Sequence, residues 1–172
     1  MRREIRFSGF GGQGVILMGH IMGKACVLDG MQVTLTQSYG PEARGGACST
    51  DVIVSDGDIN YPQVRKPDIL VCMSQSALEI YSPSLERDGL LLVDTGLVEL
   101  PDTRGIPATD LADKEFGTRV VSNMIMLGYF TAITGVATPA SVEEAIGALV
   151  PVGTEDLNIR AFRLGLEKGR GE

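Results

Sequence analysis

The segment Gly9-Phe10-Gly11-Gly12-Gln13-Gly14 divides a short apolar run from a long one, and that break limits the fold more than any other feature of the chain. Ile5 to Ser8 reads as a strand. Val15 to Leu28 reads as a helix that is apolar almost all round and so must be covered on most sides. Asp29-Gly30 ends it, with Gly30 suited to the left-handed turn after a helix C-terminus. Gln32 to Thr36 reads as a second strand. Together these predict one strand–helix–strand unit.

The pattern continues with the same alternation. Ala47 to Ser55 reads as a strand, closed by the turn Asp56-Gly57-Asp58. Ile59 to Tyr61 is expected to pair briefly before Pro62. Ile69 to Met73 and Leu90 to Val93 are continuous apolar runs of the kind found in the centre of parallel sheets. Thr103 to Pro107 is a weaker, edge-like run. Ser76-x-x-Glu79 predicts a capped short helix, Asp110 to Phe116 a short helical turn, and Thr118 to Thr134 a long buried helix. Ser141-x-x-Glu144 and Thr154, with Glu155 and Asp156 behind it, predict two more helix starts. Leu157, Ala161 and Leu164 share one face of the last. Strands alternating with helices imply an α/β fold, a Rossmann-like open and mostly parallel sheet flanked by helices. A length of 172 residues with no repeat or linker fits a single domain over 1–172. In such sheets ligands and partners gather beyond the carboxyl ends of the strands. Ser8-Gly9, Gln37-Ser38, Ser74-Gln75 and Asp94-Thr95 map there.

Composition narrows the function. A net charge of −7 disfavours nucleic acid as a partner. No apolar run is long and unbroken enough for a membrane span, and the N-terminus leads straight into a strand, so the expected location is the cytoplasm. Cys26, Cys48 and Cys72 form no C-x-x-C pair; buried, reduced thiols are expected, with neither zinc nor an iron–sulfur cluster held by this chain. His20 is the sole histidine, on the first helix, expected to be partly buried and hydrogen-bonded. Met18, Met22, Met124 and Met126 are expected in the core. No residue is assigned a catalytic role.

Gly9-x-Gly11-x-x-Gly14 has the spacing and context of a phosphate-binding turn. A dinucleotide site also needs an acid at the end of the second strand. Here that strand ends Thr36-Gln37-Ser38, and Asp29 lies before it, so the second half of the site is missing. Close packing of helix on strand, or approach by another backbone, explains the glycines as well.

The segment Ser38-Tyr39-Gly40-Pro41-Glu42-Ala43-Arg44-Gly45-Gly46 concentrates an aromatic, a Gly-Pro turn, two opposite charges and a double glycine. Arg44 suits a phosphate or a partner carboxylate, and Glu42 suits Arg44 itself or a partner. A self-contained surface loop remains open. Taken with Gly9 to Gly14, with Pro67-Asp68-Ile69-Leu70-Val71 and with Asn123-Met124-Ile125-Met126-Leu127-Gly128, this loop resembles the signature of the gamma subunits of 2-oxoacid:ferredoxin oxidoreductases. Within that family the 2-oxoglutarate enzyme is the nearest in kind. The resemblance spans about residue 4 to 165.

The resemblance implies a complex that oxidatively decarboxylates a 2-oxoacid to an acyl-coenzyme A and reduces ferredoxin. Its alpha and beta subunits, with a ferredoxin-like delta subunit, would hold thiamine diphosphate, Mg and [4Fe–4S] clusters, with coenzyme A as cosubstrate. This chain, inactive alone, would complete the assembly. Its contact loops would be Gly9, Gly11, Gly12, Gln13 and Gly14, and Ser38, Tyr39, Gly40, Pro41, Glu42, Arg44, Gly45 and Gly46. Gln13 would offer its amide to a partner backbone, and Arg44 would meet a coenzyme A phosphate or a partner. The competing readings are an independent Rossmann-type nucleotide-binding enzyme and a regulatory or structural binding module.

Overall fold

A computed structural model describes residues 1–38 and 46–172. Its strands are β1 (Arg2–Phe10), β2 (Gln32–Ser38), β3 (Ala47–Ser55), β4 (Ile69–Cys72), β5 (Leu90–Asp94) and β6 (Gly105–Ile106). Its helices are α1 (Val15–Leu28), α2 (Gln75–Tyr81), α3 (Ala108–Phe116), α4 (Ser122–Thr134), α5 (Pro139–Leu149) and α6 (Glu155–Arg170). The strands form one sheet in the order β2-β3-β1-β4-β5-β6. β1, β4, β5 and β6 run parallel, while β3 is antiparallel to both of its neighbours.

The expected strand–helix–strand unit is therefore opened in the middle. β1 and β2 point the same way, but β3 lies between them. Burial explains the order. β3 is covered along nearly its whole length on both faces, whereas β2 is half-exposed or exposed throughout. A strand with two apolar faces belongs in the interior of a sheet and a polar one at its edge. Mid-strand charge is accommodated by pairing: Arg6 and Asp51 are cross-strand partners and make a bidentate contact at 2.7 and 2.8 Å.

The two sheet faces carry unequal cover. Ile69, Val71 and Met73 join the larger core with α1, α3, α4, α5 and α6, while Leu70 and Cys72 join a smaller one with Ala77 and Leu78 of α2. Met18, Met22, Met124 and Met126 are fully buried, as is Met73, and all three cysteines are buried. α1 lies close on the sheet because it has no side chain where it meets β3: a Cβ at Gly19 would stand 2.0 Å from Thr50 Cγ2. α4 and α6 touch backbone to backbone. A Cβ on Gly165 would lie 1.8 Å from the Ile125 carbonyl oxygen, and one on Gly128 2.0 Å from that of Phe162. The buried face of α6 is thus Ala161, Phe162, Gly165, Leu166 and Gly169. Leu157 and Leu164 only flank it, half-buried.

Several helix starts differ from expectation. Ser74, not Ser76, caps α2 by accepting the Ala77 N–H at 3.2 Å. A 3-10 turn, Arg119–Val121, precedes α4, so the long helix begins at Ser122. Thr138 caps α5, while the Ser141 hydroxyl donates to Asp29 at 2.5 Å. Thr154 does stand at the N-cap of α6, but its side chain makes no cap; its hydroxyl donates to the Pro151 carbonyl. Residues 59–61 form no strand. Gly30 does take the left-handed turn, with φ 84°. His20 is exposed, although its ring nitrogen meets Gln37 Oε1 at 3.0 Å.

Asp29 ties the end of α1 to the start of α5, accepting from the Thr138 N–H and hydroxyl as well as from Ser141. Burial works to raise its pKa, but these bonds outweigh burial and the net shift is downward. A lowered carboxyl contributes stability above its unfolded value and loses it as pH falls through the folded one. Asp29→Asn is thus expected to cost about 0.3–1 kcal/mol at pH 7. The gap to the parent should close as pH falls below 3.8 in urea titrations. In the same assay Gly165→Ala should cost about 1–3 kcal/mol or more by overpacking, while Gly147→Ala, on an exposed face with open space, should be neutral or gain up to about 1 kcal/mol.

Candidate functional site

The carboxyl ends of β1, β4, β5 and β6 converge on one rim, and the glycine loop turns over it. Register places both ends of the second segment near it. Gly9 pairs with Cys48 and Phe10 with Ala47, while Ser38 pairs with Ser49. The chain thus leaves β2 at Ser38 and re-enters β3 beside Phe10. Tyr39, Gly40, Pro41, Glu42, Arg44 and Gly45 lie outside the described residues; of the second loop's assignments only Ser38, exposed, and Gly46, exposed with φ 75°, are described.

Gln13 governs the first loop. Its side-chain oxygen accepts the Phe10 N–H at 2.9 Å, and its amide donates to the Met73 carbonyl at 2.7 Å. The side chain is 8% exposed. The expectation that Gln13 offers its amide to a partner is thereby corrected: both ends are used inside the chain, pinning the loop to the strand end next door. Gly9 makes room for it, since a Cβ there would lie 2.5 Å from Gln13 Oε1. Gly12 and Gly14 adopt φ 93° and 73°, which glycine alone takes freely. Asn123, at the start of α4, props the loop from behind, its Nδ2 donating to the Gly14 carbonyl at 3.3 Å.

Beside the loop lies a cleft of about 280 Å³ that includes Phe10, Gly12, Leu97, Thr109, Arg119 and Val120. Its lining residue Thr109 is held by Asp94, fully buried at the end of β5. The Asp94 carboxylate accepts from the Thr109 hydroxyl at 2.6 Å, the Thr109 N–H at 3.0 Å and the Gly96 N–H at 3.0 Å. Burial still pushes its carboxyl up. Its mouth is apolar, with Phe10 45% and Val120 80% exposed. Sequence reasoning missed Arg119 and Val120 because it ran one helix through them. The apolar pair Val120-Val121, two residues beyond the capping residue Thr118, was the available signal.

The site holds little nucleophilic chemistry. Burial pushes the Cys26 and Cys72 thiols up to about 12, and raises Cys48. Among the described residues no group of three or more His, Cys, Asp or Glu side chains could hold a metal ion, and no helix is long and apolar enough to cross a membrane.

Residues 4–168 match the family described as pyruvate ferredoxin/flavodoxin oxidoreductase. The chain is 49% identical to the 2-oxoglutarate synthase subunit KorC of Methanothermobacter marburgensis, over 97% of this chain and 96% of that one. The crystal structure of the gamma subunit of a keto/oxoacid ferredoxin oxidoreductase from Geobacter sulfurreducens superposes with a TM-score of 0.87 at 41% identity, covering 99% of both chains. The 2-oxoglutarate:ferredoxin oxidoreductase of Magnetococcus marinus, described with 2-oxoglutarate, coenzyme A and succinyl-CoA bound, shares the fold with a TM-score of 0.87 at 21% identity. There the match covers 99% of this chain and 31% of that one.

Gln13→Ala removes both pins at once and leaves the part-buried Phe10 N–H and the buried Met73 C=O unpaired, at a cost of about 1–3 kcal/mol. Chemical denaturation should report that loss, and amide exchange at Phe10 should accelerate while the α4–α6 contact keeps its protection.

Proposed function

The chain belongs to the pyruvate ferredoxin/flavodoxin oxidoreductase family, and on that footing we propose that it is the gamma-type subunit of a 2-oxoglutarate:ferredoxin oxidoreductase. Such a complex converts 2-oxoglutarate, coenzyme A and oxidised ferredoxin to succinyl-coenzyme A, CO2 and reduced ferredoxin. The supporting observation is near full-length similarity, at 42–49% identity, to chains named as 2-oxoglutarate synthase subunits. Relatives that act on ketoisovalerate and pyruvate by name are less similar, at 33–36% and 31–32%.

Of the thiamine diphosphate, Mg and [4Fe–4S] clusters that such a complex uses, the clusters do not fit the described cysteines of this chain. The cysteines are buried apart from one another among apolar side chains, and the thiols of Cys26 and Cys72 are held far from the thiolate form that clusters require. In this reading those groups belong to alpha, beta and ferredoxin-like delta partners. This chain contributes placement instead: a rigid glycine loop, with Ser38 and Gly46 rooted on the strands beside it, forms a contact rim that completes the active-site region and the path of coenzyme A. Holding reactants in register is itself a large catalytic factor. The unit spans residues 1–172, without catalytic residues of its own, and works in the cytoplasm.

The independent nucleotide-binding alternative is weakened by topology. A dinucleotide fold needs the end of its second strand beside the glycine turn. Here β3 intervenes, and β2 ends in Gln37-Ser38.

Native purification through a tag on this chain should bring down larger chains carrying iron and thiamine, and the eluate should form succinyl-coenzyme A from 2-oxoglutarate with a ferredoxin acceptor. A chain that elutes alone and binds NAD or FAD in equilibrium dialysis would sink the proposal.

A further inference from the structure

We infer that the cleft beside the glycine loop is a docking site for a partner subunit whose backbone crosses Gly11, seats an apolar side chain against Phe10, Leu97 and Val120, and turns a carboxylate toward Arg119. The inference rests on the subunit reading above.

The glycines of the loop divide by cause. Gly9 yields space to Gln13, Gly12 takes a left-handed φ, and Gly14 both takes one and would place a Cβ 2.3 Å from Asn123 Nδ2. Gly11 has neither reason. Its φ is ordinary, nothing in the chain lies within 4 Å of where its Cβ would be, and it is exposed. The fold of this chain would accept a side chain there. Bare backbone at an exposed rim lets another backbone come close.

The neighbouring groups state what would come close. Val120 and Phe10 hold a large apolar surface in water that no described element covers. Apolar side chains left exposed together around a concave site mark an interaction surface. Arg119 stands among them with one weak partner, Asp113 at 3.9 Å, both side chains being more than half exposed. A surface pair of that kind is worth little and yields to a better acceptor. On a chain of net charge −7, a cation at the edge of an apolar cleft favours an acidic group from outside.

The test uses the full chain and its copurified partner subunits, titrated together and followed by native mass spectrometry. Gly11→Leu and Val120→Asp should each weaken assembly at least tenfold. Arg119→Glu should weaken it several-fold, by less in high salt. Gly57→Leu is the control, an equally open exposed glycine at the opposite rim, following Ser55, which pairs with Arg2. It should assemble as the parent does. All four chains should melt within about 2 °C of the parent when alone. Parent-like assembly by Gly11→Leu and Val120→Asp overturns the inference and leaves the subunit reading standing. So does a matching loss of melting temperature, which would make the residues structural, and so does coenzyme A binding to the isolated chain that these variants abolish while assembly is kept. A parent chain that joins no partner at all overturns the subunit reading itself.

Discussion

The antiparallel strand β3 between β1 and β2 is the constraint on which the rest depends. It separates two strands that run the same way, and it brings the start of Ala47–Ser55 against the last residues of β1. Two glycine-bearing segments, far apart in sequence, are thereby rooted at one edge of the sheet. A directly adjacent β1–β2 pair would have placed the end of β2 beside the glycine turn, as nucleotide-binding sheets do. With β3 interposed, the neighbour of the turn is the start of β3, and the end of β2 that would meet a ribose lies one strand away.

Rigidity at that edge comes from small means. One glutamine side chain bridges Phe10 and Met73, one buried aspartate gathers three donors from Thr109 and Gly96, and one asparagine backs the Gly14 carbonyl. Each is a polar group whose bonds are made inside the chain, as burial demands. The apolar surface left over, chiefly Phe10 and Val120, is therefore displayed on a fixed frame. A preorganised frame lowers the ordering cost of association. Behind it the α4–α6 contact, backbone against backbone at Gly128 and Gly165, leaves little freedom for the helix that carries Asn123.

Much of this was legible in residues alone. Apolar runs at Ile69–Met73 and Leu90–Val93 located the central strands, and Gly30 marked the end of α1. The glycine loop was placed correctly between strand and helix. Strand order was not legible, because pairing is a tertiary choice; only the contrast between two-faced β3 and polar β2 hints at it. Helix starts were misread wherever two hydroxyl residues competed, as at Ser74 against Ser76 and Thr138 against Ser141. Gln13 was read as outward-facing because nothing local reveals the Met73 carbonyl waiting sixty residues on. The cleft was invisible for the same reason: Leu97, Thr109 and Val120 meet Phe10 only through the fold.

Hydrogen–deuterium exchange on this chain, free and then within its assembled complex, tests the central claim most directly. The account predicts that assembly slows exchange at the amides of residues 10–14 and 118–121, while the turn at 56–58 on the far rim exchanges as before. Unchanged exchange at 10–14 and 118–121, with new protection at 56–58 instead, would contradict it.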